Sequence, residues 1–228
     1  MIASPFLKGR LRGIYTGDTG GEVEKMKDEK FEKLRQGIQQ QLLKANQHFK
    51  ICWGISLASE DIARAIDIHS AFFYYTMWSN NESFCLTTFN VLKPDDKTAN
   101  FTKLFNHIRN SKNLLTVFDL KEIEGMKTTI KSHESLIKRI KVIRDQYIAH
   151  NQLKKKHLEG ETTYTYEEGK KLLEDLNNIL NTLSHKYDRS IFSWDTSPRL
   201  NVEYVLRSLT ERYEDQINRS TNLDHQTI

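Results

Sequence analysis

A chain of 228 residues, 38% hydrophobic and 28% charged, can bury one sizeable core, so global disorder is disfavoured. Three prolines and ten glycines are too few for a sandwich of many short strands, which needs a turn breaker about every 8–12 residues. A net charge of +4 and a pI near 8.9 permit an anionic partner such as RNA without requiring one.

Residues 1–21 hold Gly9, Gly13, Gly17, Gly20 and Gly21 around Arg10 and Arg12, and are expected to form a solvated tail. Helical periodicity then begins. Phe31, Leu34, Ile38, Leu42, Ala45 and Phe49 recur every three to five residues, which predicts an amphipathic helix over about 24–51. Ser59 with Glu60 and Asp61 reads as an N-cap with acids in the first turn. The stripe Ile62, Ala65, Ile66, His69, Phe72, Phe73 and Met77 follows. Ser79-Asn80-Asn81 should weaken or bend this helix, and Pro94 should stop it after Phe84, Leu86, Phe89 and Leu92. The aromatic run Phe72 to Tyr75 with Trp78 reads as core or interface packing ahead of base stacking.

Phe101, Leu104, Phe105 and Ile108 give a short helix, whereas residues 111–124 have no readable period. A helix is expected over about 126–150. Thr165 and Glu168 then form a T-x-x-E capping box before Leu172, Leu173, Leu176, Ile179, Leu180, Leu183 and Tyr187. Ser197-Pro198 opens a last helix through Val202, Val205, Leu206, Leu209, Tyr213 and Ile217. The expected fold is all-α: a bundle of long antiparallel helices over 22–190, a C-terminal loop and extra helix over 191–218, and a flexible tail at 219–228.

The helix over 126–150 breaks the pattern in a useful way. At 100° per residue from Ile140, its apolar residues Leu136, Ile137, Ile143, Tyr147 and Ile148 fall in one arc of roughly 280° to 80°, and only Val142 lies outside it. Lys138, Arg139, Lys141 and Asp145 fall on the opposite, solvated side. Arg144 falls near 40° and His150 near 280°, within or at the rim of the apolar face. A guanidinium there is costly unless paired, so it needs a cause. One cause is structural: an ion pair with a neighbouring helix for Arg144, and a helix end for His150. The other is chemical, because an imidazole moves protons at neutral pH and a guanidinium grips phosphate oxygens in pairs.

The segment Arg144-Asp145-Gln146-Tyr147-Ile148-Ala149-His150-Asn151 resembles the R-x(4–6)-H motif of the HEPN superfamily, and IRDQYIAHN resembles its AbiU-type abortive-infection subgroup. The resemblance covers roughly residues 25–190. It implies an all-α HEPN-like domain and a metal-independent endoribonuclease with no cofactor. Attack by a ribose 2′-OH would leave 2′,3′-cyclic phosphate ends, in a toxin or antiphage setting. On that reading His150 is the general acid or base and Arg144 the phosphate clamp. Asp145, Tyr147 and Asn151 support them, Asp145 by ordering the Arg144 fork, by orienting His150, or by solvating the helix. Asn151 returns to the Arg144 face seven residues on and binds substrate or caps the helix. Lys154, Lys155 and Lys156 are weak candidates for RNA phosphates, with a solvated loop as the alternative.

Six residues on a regular helix turn through about 240°, so one helix brings Arg144 and His150 together poorly. Two copies about a two-fold axis converge all four side chains, which matches the composite dimer site the resemblance implies. The expected partners are therefore RNA, a second copy and, by family analogy, an antitoxin. Alternatives are a HEPN-like binding module without catalysis, or a scaffold with Arg144 in a structural ion pair.

Other chemistries lack a signature. There is no phosphate-binding glycine loop and no H-E-x-x-H, and the eight histidines show no metal spacing. Cys52 and Cys85 cannot make a disulfide framework or a four-thiolate zinc site and read as small buried hydrophobes in a reducing, cytoplasmic setting. The longest apolar stretch, around 71–78, is far short of the roughly 18 residues a membrane span needs, and the opening lacks the apolar core of a signal peptide.

Overall fold

The structure, a computed structural model, describes residues 28–93, 97–145, 163–193 and 202–224. Its spine is α1 (Glu29–Ser56). Asp28 starts it by accepting hydrogen bonds from the N–H groups of Lys30 and Phe31 at 3.1 and 2.9 Å, and Glu29 and Glu32 suit the positive end of the helix dipole. Phe31, Ile38, Leu42, Ala45, Phe49, Cys52 and Ile55 are buried along one face, so the predicted stripe is the core stripe, extended by two positions. Each such burial contributes roughly 1.5–3 kcal/mol for the larger side chains.

Two helices form where one was expected after Ser59. α2 (Glu60–Ile68) and α3 (Ser70–Leu92) meet at His69, whose backbone leaves helical values at φ −113° and ψ 35°. The break lets them face different neighbours. α2 packs on α8 (Val202–Asp224), where Ala65, Leu206, Phe73 and Ile55 share a small second core, and α3 packs along α1. The expected weak point at Ser79-Asn80-Asn81 stays helical, because its amides find tertiary partners. Asn80 Oδ1 lies 2.8 Å from His48 Nδ1 on α1, and Asn81 Oδ1 accepts from the Tyr164 hydroxyl. Lys93, before Pro94, is extended and ends the helix as the proline requires. Of the aromatic run only Phe73 is core, whereas Phe72, Tyr74 and Tyr75 are 65%, 57% and 70% exposed.

Asn100 caps α4 (Phe101–Asn110) through the Lys103 N–H at 2.9 Å. The segment without a readable period becomes a 3-10 turn at Leu114–Thr116 that buries Leu114 and Phe118, and Asp119 then caps α5 (Leu120–Ser132). The expected helix over 126–150 starts earlier and is cut at His133, where α5 ends and α6 (Glu134–Ile143) begins. The His133 ring reaches across to α7 (Tyr166–Asp188), 2.8 Å from Asp175 Oδ2, an anchor that no local pattern encodes. α7 opens on the predicted capping box. Thr165 Oγ1 accepts from Glu168 N, and Glu168 Oε2 accepts from Thr165 N at 2.9 Å. Ser197-Pro198, the expected cap of α8, lies outside the described residues. Among the described residues the fold is all-helical with no strand, and no helix is long and apolar enough to cross a membrane.

At Gly169, α7 packs directly on a side chain of α1. A Cβ there would stand 2.5 Å from Phe49 Cε2, on a ring buried in the core. An exposed helical Gly→Ala change stabilises by up to about 1 kcal/mol, but overpacking costs about 1–3 kcal/mol. Gly169→Ala should therefore lower the thermal midpoint. An unchanged or raised midpoint in calorimetry would contradict this packing.

Candidate active site

α6 carries the motif to the edge of the bundle. Leu136, Ile140 and Ile143 are buried against the core, so α6 is held by its apolar side, and Arg144 follows directly. At Arg144 and Asp145 the chain widens into a π-type turn, a feature that often marks functional sites. Asp145 reaches the Arg144 fork from the next position in the chain, although the 100° wheel sets it on the solvated side.

The Arg144 guanidinium has two partners. Its carbon lies 3.9 Å from the centre of the Phe89 ring on α3, a cation–π stack of about 0.5–2 kcal/mol depending on solvent exposure. Its Nε donates to Asp145 Oδ1 at 2.7 Å, and Nη2 donates to the same oxygen. The side chain is 19% exposed, against 37% for Asp145. Among the described residues no carboxylate of another helix reaches Arg144, and Nη1 makes no hydrogen bond. Phe89 gave no sequence signal for this role, since it reads as one more member of the α3 stripe.

His150, Tyr147, Asn151, Lys154, Lys155 and Lys156 lie outside the described residues. The structure thus brings Asp145 onto the Arg144 fork and Arg144 onto Phe89, and the other expected site residues are not among those described.

Arg139, one turn before the motif, is not the solvated residue that the wheel suggests. Nη1 donates to the Thr163 carbonyl at 2.7 Å and to Glu168 Oε2 at 3.2 Å, while Nη2 donates to Glu168 Oε1. The fork clasps α6 to the start of α7 and so fixes both ends of the chain segment that contains His150. A carboxylate in a capping box is a natural acceptor for a fork, yet nothing in the sequence pairs it with Arg139. The buried Cys52 and Cys85 fit the reading of small hydrophobes. Burial pushes their thiols up to about 11 and about 12, so neither is a thiolate at neutral pH.

Residues 28–207 match the family model described as AbiU2, of the HEPN type. No curated protein and no solved structure matches the chain.

The clasp makes a pH-dependent prediction. The Arg139 hydrogen bond, then the Thr165 N–H, hold the Glu168 carboxyl below its ordinary value of 4.5. A lowered folded pKa means the contribution is complete above about 4.5 and is lost as pH falls through the lower folded value. Hydrogen exchange of the amides at 165–169, corrected for intrinsic rates, should stay flat from about pH 5 to 8 and quicken below about 4. Glu168→Gln should remove that acid step, and an identical step in the variant would sink the assignment.

Proposed function

We propose that this chain, which belongs to the AbiU2 family of HEPN domains, is a metal-independent endoribonuclease acting in abortive-infection defence against phage. The observation that carries the reading is the state of Arg144. Its Nε and one Nη2 proton are engaged by the neighbouring Asp145, and its back is set on Phe89. The end-on fork of Nη1 and the second Nη2 proton then faces a substrate. That fork matches two phosphate oxygens and stays charged at any physiological pH. Asp145 is a positioning residue here: it fixes the plane of the guanidinium and leaves the phosphate-binding edge open.

The reaction needs three acts. A base takes the proton of a ribose 2′-OH, the resulting oxygen attacks the adjacent phosphorus, and the 5′-oxygen leaves with a proton. His150 supplies the base or the acid, since an imidazole serves both near neutral pH. Arg144 stabilises the charge that builds on the non-bridging oxygens. The products are a 2′,3′-cyclic phosphate and a free 5′-OH; in the composite dimer site one His150 takes the 2′-OH proton and the second copy's His150 gives a proton to the leaving 5′-oxygen, so the protons balance. Lys154, Lys155 and Lys156 follow the motif and would hold flanking phosphates.

A homodimer completes the site in this reading. Its support is the exposed face of α3. Tyr75, Leu86 and Phe89 lie within roughly 60° of one another around that helix, and Tyr75 and Leu86 are exposed. The exposed strip thus runs into the ring that carries Arg144. A second copy packed there would bring two Arg144 side chains and two His150 side chains to one cleft. An antitoxin partner and the identity of the RNA are further proposals that family membership suggests.

Arg144→Ala and His150→Ala should each reduce RNA cleavage by about 100-fold or more while the chain stays folded, the loss typical of removing one acid–base or charge-stabilising group, with Arg144→Ala also lowering the melting midpoint by about 2–8 °C through the lost stack on Phe89. Asp145→Ala should cost less, and Asp145→Asn least, because an amide oxygen still accepts from the fork. Equal cleavage by wild type and both Ala variants would reject the reading. In solution the active species should have the mass of two chains, whereas an active monomer would remove the composite site.

A further inference from the structure

The chain leaves the motif helix at Asp145 and is next described at Thr163, and the residues on either side of that span share a platform. Both are seated on α3. On the first side, the Arg144 guanidinium carbon stands 3.9 Å from the centre of the Phe89 ring. On the second, the Tyr164 hydroxyl donates to Asn81 Oδ1. The Tyr164 ring also packs on Phe84 and on Trp53, with centroids 5.5 and 6.1 Å away. Asn81 and Phe89 are eight residues apart on one helix, so the two seats lie about 12 Å apart along its axis. Burial lifts the Tyr164 hydroxyl well above its ordinary value, so it keeps the proton it donates.

Arg139 joins the same two stretches of chain a second time. It stands five residues before Arg144 on α6. Nη1 donates to the Thr163 carbonyl at 2.7 Å and to Glu168 Oε2 at 3.2 Å, and Nη2 donates to Glu168 Oε1. Glu168 Oε2 also accepts from the Thr165 N–H at 2.9 Å. Residues 163, 164 and 165 are thus held in succession by a carbonyl, a side chain and an N–H, to α6, α3 and α7 respectively. One planar fork spans the carbonyl and both carboxylate oxygens, which an ammonium of the same charge does not reproduce. The pairing of α6 with α7 has a separate tie at its other end, where His133 Nε2 lies 2.8 Å from Asp175 Oδ2. Thr163 belongs to neither helix, so the contact to its carbonyl fixes the returning chain rather than the helix pair.

We infer that the Arg139 clasp, besides tying α6 to α7, makes Arg139 a positioning residue for RNA cleavage: with Tyr164 on Asn81 it fixes the return of the chain that bears His150, and so sets the imidazole against the Arg144 fork. The inference rests on the reading of the motif as a ribonuclease site and adds to it a residue that touches no RNA. Holding both sides of a connecting segment removes chain entropy before any substrate arrives. Proton transfer tolerates little displacement, since a shift of about 1 Å can cost about 100-fold. The effect falls on the chemical step. The phosphate grip of Arg144 is built from Asp145 and Phe89, to which the clasp contributes no contact.

The test is kcat and KM of the full chain on a short single-stranded RNA and on the same RNA with sulfur in place of the scissile 5′-oxygen, at a temperature where every variant is folded. A thiolate leaves without a proton, so the sulfur substrate needs no general acid. Arg139→Gln, Arg139→Lys and Tyr164→Phe should each lower kcat by about tenfold or more on the ordinary RNA, with KM changed by less than about threefold. On the sulfur substrate that loss should shrink by about threefold or more. His133→Ala loosens the same helix pair at its far end, and should lower the thermal midpoint while leaving kcat within about twofold. Unchanged kcat in all three variants, a loss confined to KM, an equal loss on both substrates, or an equal loss in His133→Ala would overturn the inference. A wild-type chain that cleaves neither substrate would instead reject the ribonuclease reading, together with what rests on it.

Discussion

The guanidinium of Arg144 is held by a ring behind it and by the carboxylate next to it in sequence. The proposed cleavage of RNA depends on that arrangement. A cation at the margin of a packed helix must be neutralised or hydrated. Here the neutralising group comes from the adjacent residue, so the pair needs no other helix. The ring of Phe89 removes one face from solvent without consuming a hydrogen-bond donor. What is left is a charged fork with part of its donors unspent.

Two other arginines show what a structural role looks like in the same fold. Arg35, buried on α1, donates to Ser190 Oγ and pairs with Asp188 and Glu32, and so ties the start of α1 to the end of α7. Arg139 ties α6 to the capping box of α7. Each joins two elements that are distant in sequence, and each would leave an uncompensated carboxylate if removed. Arg144 joins none among the described residues through an ion pair. Its charge therefore contributes little to holding the bundle together, which is the condition for spending it on a substrate. The AbiU2 match over residues 28–207 spans α1 to α7 and extends into α8.

Where stability is local, the amino-acid order was readable. The stripe of α1, the short helix α4 and the Thr165–Glu168 capping box follow from periodicity and capping, which involve neighbours within a few turns. The misreadings are all tertiary. Helix breaks at His69 and His133 carry no proline or glycine. The first lets α2 turn toward α8, and the second coincides with a ring held by Asp175. Asn80 and Asn81 look like breakers until His48 and Tyr164 meet them. Arg139 looks solvated until Glu168 arrives from another helix. For the site, position on an apolar face drew attention to Arg144, and of the three roles open to Asp145 the structure shows the contact with the Arg144 fork, while the stack on Phe89 had no local signal.

The measurement that bears most directly on the central claim is the end chemistry of RNA incubated with the purified protein in EDTA. The account predicts fragments ending in 2′,3′-cyclic phosphate with free 5′-OH groups, produced by the wild type and absent with Arg144→Ala. Intact RNA in every reaction, or fragments carrying 3′-OH and 5′-phosphate, would contradict it.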